Sequence, residues 1–182
     1  MEELFYYLLD LGASPNIPNI EGETIQFKTF LNRDDKVAEI IQDDYNGDIN
    51  ALNKEGLSLG HIAILNNDQE RLKYLFSRNF QIETKDNKNH SLFMSSILRE
   101  KDCNYQICQF LLDHGSDINT SSYLICSEKV NFDRKKFDFL LKNNCDINIV
   151  NNALDLPFSQ LLNFERKEEI SILIDKKVNV ND

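Results

Sequence analysis

Residues 111–119, LLDHGSDIN, hold two leucines, the polar pair Asp113 and His114, a glycine, and a short tail ending in Asn119. An acid, an imidazole and a second acid around a glycine fit a fragment of a catalytic or metal site. They fit equally well a break between two helices. The rest of the chain decides, because the phrase recurs as LLDLGASPN (8–16), LFSRNFQIE (75–83), LLKNNCDIN (140–148) and LIDKKVNVN (173–181), with a looser copy in NGDIN (46–50). The last residues of these copies fall at 16, 50, 83, 119, 148 and 181, so the steps are 34, 33, 36, 29 and 33, with a mean of 33. A fixed period of that size marks an array of structural repeats.

Each copy has the same physical grammar. Two apolar residues close a helix, a break follows, and a short extended tail leads away. Gly12, Asn79, Gly115 and Asn144 stand at the break, where a left-handed residue ends a helix at least cost. Between the copies lies a second recurring phrase: NIEGET (19–24), NKEGLS (53–58) and DNKNHS (86–91). Each ends in Thr or Ser, whose side-chain oxygen suits the first boundary of a helix. The last unit instead offers LPFSQLL (156–162), with Pro157 near the first helical turn, where a missing N–H costs nothing. A short apolar helix, a polar turn and a second helix such as DQERLKYLF (68–76) follow each start. The unit is turn, helix, turn, helix and extended loop.

A 33-residue unit in this order resembles the ankyrin repeat, whose pattern runs Asp-x-x-Gly-x-Thr-Pro-Leu-His-x-Ala, then a second helix ending Leu-Leu, then Gly-Ala-Asp-Val-Asn. The fullest match is NKEGLSLGHIAILNN, where Asn53, Gly56, Ser58, His61 and Ala63 occupy the Asp, Gly, Thr, His and Ala positions. Gly22 and Thr24 match in the first unit, and Pro157 falls on the proline of the last. The resemblance implies an all-α fold: an ankyrin-like solenoid of stacked helix-turn-helix repeats with short hairpin or loop fingers. Residues 1–182 then form a single array, with a partial repeat at 1–18 and repeats at 19–52, 53–85, 86–119, 120–148 and 149–182.

The units are degenerate. Only one carries the histidine; Met94 and Ser159 replace it in the third and fifth. The unit after Asn119 is four residues short and lacks the Asp-x-x-Gly turn between Thr120 and Arg134, which predicts a blunted finger and a notch in the binding face. The three extra residues of the third unit are expected in LREKDCNY (98–105), lengthening the turn between its helices. Leu4, Phe5, Leu8 and Leu9 look uncapped, because end units of repeat arrays normally turn a polar face outward. That motivates the expectation of a longer array, or of packing on something outside these residues.

Composition narrows the function. The 182 residues carry 30 Asp plus Glu against 20 Lys plus Arg, a formal charge of -10, which argues against a phosphate backbone or an anionic membrane surface and favours a neutral or basic protein partner. No run of about 18 apolar residues exists, and the opening MEELFYYLLDLG is too acidic for a secretion signal. The expected location is cytoplasmic, or the host-cell cytosol if the chain is an effector. Cys103, Cys108, Cys126 and Cys145 form no framework-like pattern and are expected as reduced thiols.

Nothing in the spacing requires catalysis, a cofactor or a metal. Cys103, Cys108, His114 and Cys126 are separated by five, six and twelve residues, which is not the ligand spacing of a zinc knuckle; Cys108 aligns instead with an apolar core position of a second helix. No Gly-rich phosphate loop or Gly-x-Ser-x-Gly elbow occurs. The resemblance implies that His61 is a structural imidazole tying turn to backbone. His114, at a helix end, suits the free carbonyls there. His90 lies on the finger side and is retained as a partner contact.

The expected function is therefore a non-catalytic protein-protein interaction module that binds a protein or peptide through the concave face of the array. The alternative is a targeting or regulatory arm of a larger enzyme or secreted effector whose catalytic domain lies elsewhere. Carried onto this sequence, the family's binding surface gives Lys54, Glu55, Leu57, Lys88 and His90 at the fingers. On the first helices it gives Leu31, Leu65, Asn66, Leu98, Arg99 and Phe164. Leu31, Leu65 and Leu98 share one column of the repeat; they form an apolar ladder if exposed and a stacking layer if buried.

Overall fold

A computed structural model describes residues 2–99, 103–120, 133–149 and 166–175. Among the described residues the regular structure is helical: α1 (Glu2–Asp10), α2 (Ile25–Asn32), α3 (Asp35–Tyr45), α4 (Leu59–Leu65), α5 (Gln69–Phe76), α6 (Leu92–Ile97), α7 (Tyr105–Asp113), α8 (Arg134–Lys142) and α9 (Lys167–Asp175). Extended pairing among them is a single antiparallel bridge, Lys85 to Ser91. The chain divides into two compact units, residues 1–95 and 96–182.

The helices start and stop where the side chains dictate. Thr24, Asp34, Ser58, Asp68, Asn104 and Asp133 each cap a helix by accepting backbone N–H groups of its first turn, which satisfies donors that have no intrahelical partner. Every expected break residue adopts a left-handed backbone: Gly12, Asn79, Gly115 and Asn144 have φ of 90°, 58°, 95° and 57°. Arg33, Asn46 and Asn67 do the same at breaks not anticipated, and Asn89 does so in the turn before α6.

In the first unit α2 packs against α3, α4 against α5, and α2 against α4. Phe27, Phe30, Ala38, Ile41, Leu59, Ala63, Ile64, Leu72 and Leu75 form the core between them. In the second unit Ile107, Cys108, Leu111, Phe137, Leu140 and Leu173 are buried, and the Tyr105 and Phe139 rings meet at 5.1 Å. At α1, Leu4 and Leu8 are exposed as expected, but Leu9 is buried. The Phe5 side chain, Pro157, the shortened segment after Thr120 and the middle of LREKDCNY lie outside the described residues.

The turns that precede α2, α4 and α6 are three copies of one structure. Asn19, Asn53 and Asp86 each accept, through Oδ1, the backbone N–H groups two and four residues on, at 2.8–3.0 Å. Each also closes a backbone pair with the residue four on. Successive turns then stack: Lys54 N–H donates to the Glu21 carbonyl at 2.9 Å, and Asn87 N–H to the Glu55 carbonyl at 3.0 Å. This approach leaves no room for a side chain at the fourth residue of the turn, Gly22 or Gly56. A Cβ on Gly22 would lie 2.7 Å from Lys54 N, and one on Gly56 would lie 2.7 Å from Asn87 N.

Gly56→Ala is therefore expected to combine left-handed strain with loss of the inter-turn hydrogen bond, lowering unfolding free energy by about 2–3 kcal/mol. Gly12→Ala faces open space at a similar φ and should cost only about 1–2 kcal/mol. Equal losses in urea unfolding would contradict the close-approach account.

Candidate functional site

Three structural layers of the first unit position the candidate surface: the stacked turns, the first helices α2 and α4, and the second helices α3 and α5. His61 locks the first two layers together. Ser58 N–H can only donate, so its 3.2 Å contact with His61 Nδ1 makes that nitrogen an acceptor. The proton then sits on Nε2, which donates to the His90 carbonyl in the next turn at 3.2 Å. Ser58 Oγ lies 2.8 Å from Nδ1 and takes a further bond from Thr84 Oγ1 at 3.2 Å. His61 and Ser58 are both buried. Burial lowers the imidazole pKa, against an upward pull from the His90 carbonyl and the Asp86 carboxylate. The neutral ring is the form that fits. Burial works against ionisation of Asp86 too, yet the N–H groups of His90 and Lys88 hold its pKa below the ordinary value.

A second link runs through the tails. Asn16 Oδ1 accepts Asp48 N–H at 2.7 Å, while its amide donates to the Asn46 carbonyl at 2.9 Å. Asn50 accepts Gln81 N–H at 2.8 Å in the same way. Within the second unit Asn119 accepts Asp146 N–H at 2.8 Å. The closing Asn of LLDHGSDIN is thus a clasp on the following loop. His114 caps the same helix, its Nδ1 2.7 Å from the Phe110 carbonyl.

Ion pairs join the second helices. Arg71 of α5 reaches Asp35 at 2.9 Å and lies 4.5 Å over the Phe30 ring, while Arg33 reaches Asp68 at 3.1 Å. Arg78 pairs with Asp43 and stacks 5.5 Å from the Tyr74 ring centre. In the second unit Arg134 reaches Glu169 at 3.2 Å and Asp138 at 2.9 Å. Sequence reading missed these clusters. Their signal was an arginine and an acid about one repeat apart, in either order: Asp35 with Arg71, Asp43 with Arg78, Arg33 with Asp68 and Arg134 with Glu169.

The candidate residues fall into distinct settings. Lys54 and Glu55 are exposed on the second turn and Leu57 is half-buried; Lys88 is exposed on the third, where His90 is half-buried with Nδ1 3.3 Å from Asp86. Leu31 and Leu65 stand seven residues after their caps Thr24 and Ser58, and they are 38% and 52% exposed. Asn66, which follows Leu65, is exposed as well. Leu98 holds the same register after Ser91 but sits one residue beyond α6, and it and Arg99 are half-buried. Phe164 and Cys126 lie outside the described residues. The structure therefore brings Leu31 and Leu65 onto adjacent packed helices.

An open cleft of about 310 Å³ lies between tails and turns of the first unit, lined by Asn16, Pro18, Leu52, Asn53 and Lys54. Its amide groups are already engaged in the clasp and the turn. Among the described residues no three His, Cys, Asp or Glu side chains gather as a metal site, and no helix is long and apolar enough to cross a membrane.

Residues 29–122 match the family model of ankyrin repeats, in three copies; the chain belongs to the ankyrin repeat family. No curated protein sequence matches it. Among solved structures it is similar to the ankyrin repeat domain of Bcl-3, described as a unique member of the IkappaB protein family, at 21% identity and a TM-score of 0.72 over 94% of this chain and 76% of that one. It is also similar to a chain in the complex of the predatory endopeptidase Bd0816 of Bdellovibrio bacteriovorus with immunity protein Bd3460, at 12% identity and a TM-score of 0.68 over 97% and 93% of the two chains. These likenesses establish the fold: all-α, built of helix-turn-helix repeats. Ankyrin repeats are, as a class, protein-protein interaction modules and typically non-catalytic.

The lowered pKa of His61 sets a sign. Stability from its neutral form is intact above an unfolded pKa of about 6.5 and falls as pH drops below it, because the unfolded chain takes up a proton that the folded site disfavours. His61→Gln should lower stability at neutral pH by about 1–3 kcal/mol, through unpaired partners. It should also lose less stability than the wild type between about pH 7.5 and 5.5. Parallel urea-midpoint profiles for the two proteins would place the titration elsewhere.

Proposed function

We propose that the chain binds a partner protein through the exposed side of its first helices and the adjoining turns, with no catalysis of its own. The observation that carries this reading is the pair Leu31 and Leu65. Both are exposed at one register position on two helices that pack together, while Phe27, Phe30, Leu59 and Ile64 of the same helices are buried. Single exposed apolar side chains are ordinary; two at the same register on packed helices can act together as anchors.

The turns carry charge at the other end of these helices. Arg71, Arg78, Lys28 and Lys73 are engaged by acids of this chain, whereas no acid among the described residues pairs with Lys54 or Lys88. Ile20 is 80% exposed on the first turn. A partner presenting two apolar anchors, of neutral or basic overall charge against the -10 of this chain, fits this surface best. Because hydrogen bonds already fix the turns and helices, association would cost little ordering entropy.

The test is a double substitution, Leu31→Glu with Leu65→Glu, compared with Ile174→Glu, which alters an equally exposed apolar residue on α9. Affinity capture with the whole chain identifies a partner, and titration calorimetry then measures it. The double variant should weaken binding by at least about tenfold per anchor with an unchanged melting temperature, and Ile174→Glu should not. Retained affinity in a folded double variant would remove the first-helix surface from consideration.

A further inference from the structure

Two thiols meet at the start of α7. Asn104 caps that helix, its Oδ1 accepting the N–H groups of Gln106 at 3.0 Å and Ile107 at 3.4 Å. Cys103 is therefore the residue before the cap, and Cys108 is the fourth residue of the helix. Side chains at these two positions fold toward each other across the first turn, where a pair of apolar groups ordinarily meets. Here both are cysteine, and their sulfurs lie 3.8 Å apart. Ser96 touches both: its Oγ lies 3.3 Å from Cys108 Sγ, and its carbonyl accepts the Cys103 thiol at 3.7 Å. Cys108 is fully buried and Cys103 half-buried.

We propose that Cys103 and Cys108 form a redox-responsive dithiol that hydrogen peroxide oxidises to an intramolecular disulfide, with Cys103 as the attacking sulfur and Cys108 as the resolving one. The sulfurs are in contact at 3.8 Å, and forming the bond requires them to close to roughly 2.05 Å. Its two members are also unequal. A hydrogen bond from the Cys108 thiol lowers the Cys103 pKa, burial opposes this, and the Lys136 ammonium adds to the lowering. The same contact, followed by burial, raises the Cys108 pKa. Thiolate character thus belongs to the sulfur that a small oxidant reaches first.

In the first step the Cys103 thiolate attacks one peroxide oxygen; the S–O bond forms, the O–O bond breaks, and the departing hydroxide takes a proton to become water. Cys103 is now a sulfenic acid. Cys108 then gives up its proton and attacks the Cys103 sulfur; the S–S bond forms, the S–O bond breaks, and the hydroxyl leaves as a second water. Two thiols and one hydrogen peroxide become one disulfide and two waters. The two electrons lost by sulfur are those gained by the peroxide.

The experiment treats the reduced whole chain with one equivalent of hydrogen peroxide, blocks free thiols by alkylation, and maps the peptides by mass spectrometry. The expected result is a cross-link between Cys103 and Cys108 that appears before Cys126 or Cys145 is modified and is reversed by dithiothreitol. In Cys108→Ala, checked for native circular dichroism, dimedone should label Cys103 as a trapped sulfenic acid. Should that variant fail to fold, alkylation rates in the wild type decide, with Cys103 on the order of tenfold faster than Cys108. Absence of the cross-link, dimedone labelling spread equally over other cysteines, or equal alkylation rates would each overturn the proposal.

Discussion

The first unit depends on one contact, the hydrogen bond from each turn to the backbone of the turn before it. Lys54 N–H to Glu21 and Asn87 N–H to Glu55 bring main chain against main chain, closer than any side chain would allow. Two features make that approach possible. The side chain at Asn19, Asn53 or Asp86 gathers the turn's own N–H groups, so the loop is rigid before it stacks. Glycine at positions 22 and 56 then removes the Cβ that would hold the turns apart. Where Asn89 takes the left-handed position in the third turn, with φ 65°, its amide side chain tolerates a conformation that most residues avoid.

From this contact the rest of the unit is fixed in order. His61 joins the start of α4 to the next turn through a protonated Nε2, and Asn16 and Asn50 clasp the following loops. Within this unit, successive repeats are thus held together at turns and tails, and once more at His61. The arginine pairs on the second helices add a weaker tie, since exposed ion pairs are each worth only about 0.2–1 kcal/mol. The consequence for function is a division of labour. Arg71, Arg78 and Arg134 are spent on neighbouring acids, whereas Leu31, Leu65, Lys54 and Lys88 of the first helices and turns face solvent.

Much of this was legible in the sequence because repeat punctuation is local chemistry. Gly12, Asn79, Gly115 and Asn144 could be placed in left-handed backbone from their position alone, and Thr24 and Ser58 could be placed as caps. Burial of Cys108 followed from its register. What could not be read was geometry that depends on a neighbour. Leu31, Leu65 and Leu98 share a column, yet the first two are exposed and Leu98, in the turn beyond α6, is half-buried. The arginine clusters and the meeting of Cys103 with Cys108 likewise depend on which side chains a cap or a packed helix brings together.

LLDHGSDIN shows why a constellation of reactive residue types is weak evidence until its backbone is known. Asp113, His114 and Asp117 sit together in sequence, but the imidazole is spent on the Phe110 carbonyl. Gly115 is there for its φ of 95°, and the Oδ1 of Asp117 takes the N–H of Asn119 at 2.9 Å. His114 and Gly115 thus serve the end of one helix, Asp117 fixes the tail, and Asn119 clasps the next loop. The same helix at its other end presents the opposite case. Two cysteines with no suggestive spacing become neighbours because Asn104 caps between them, and unlike the groups of the C-terminal tail they face each other.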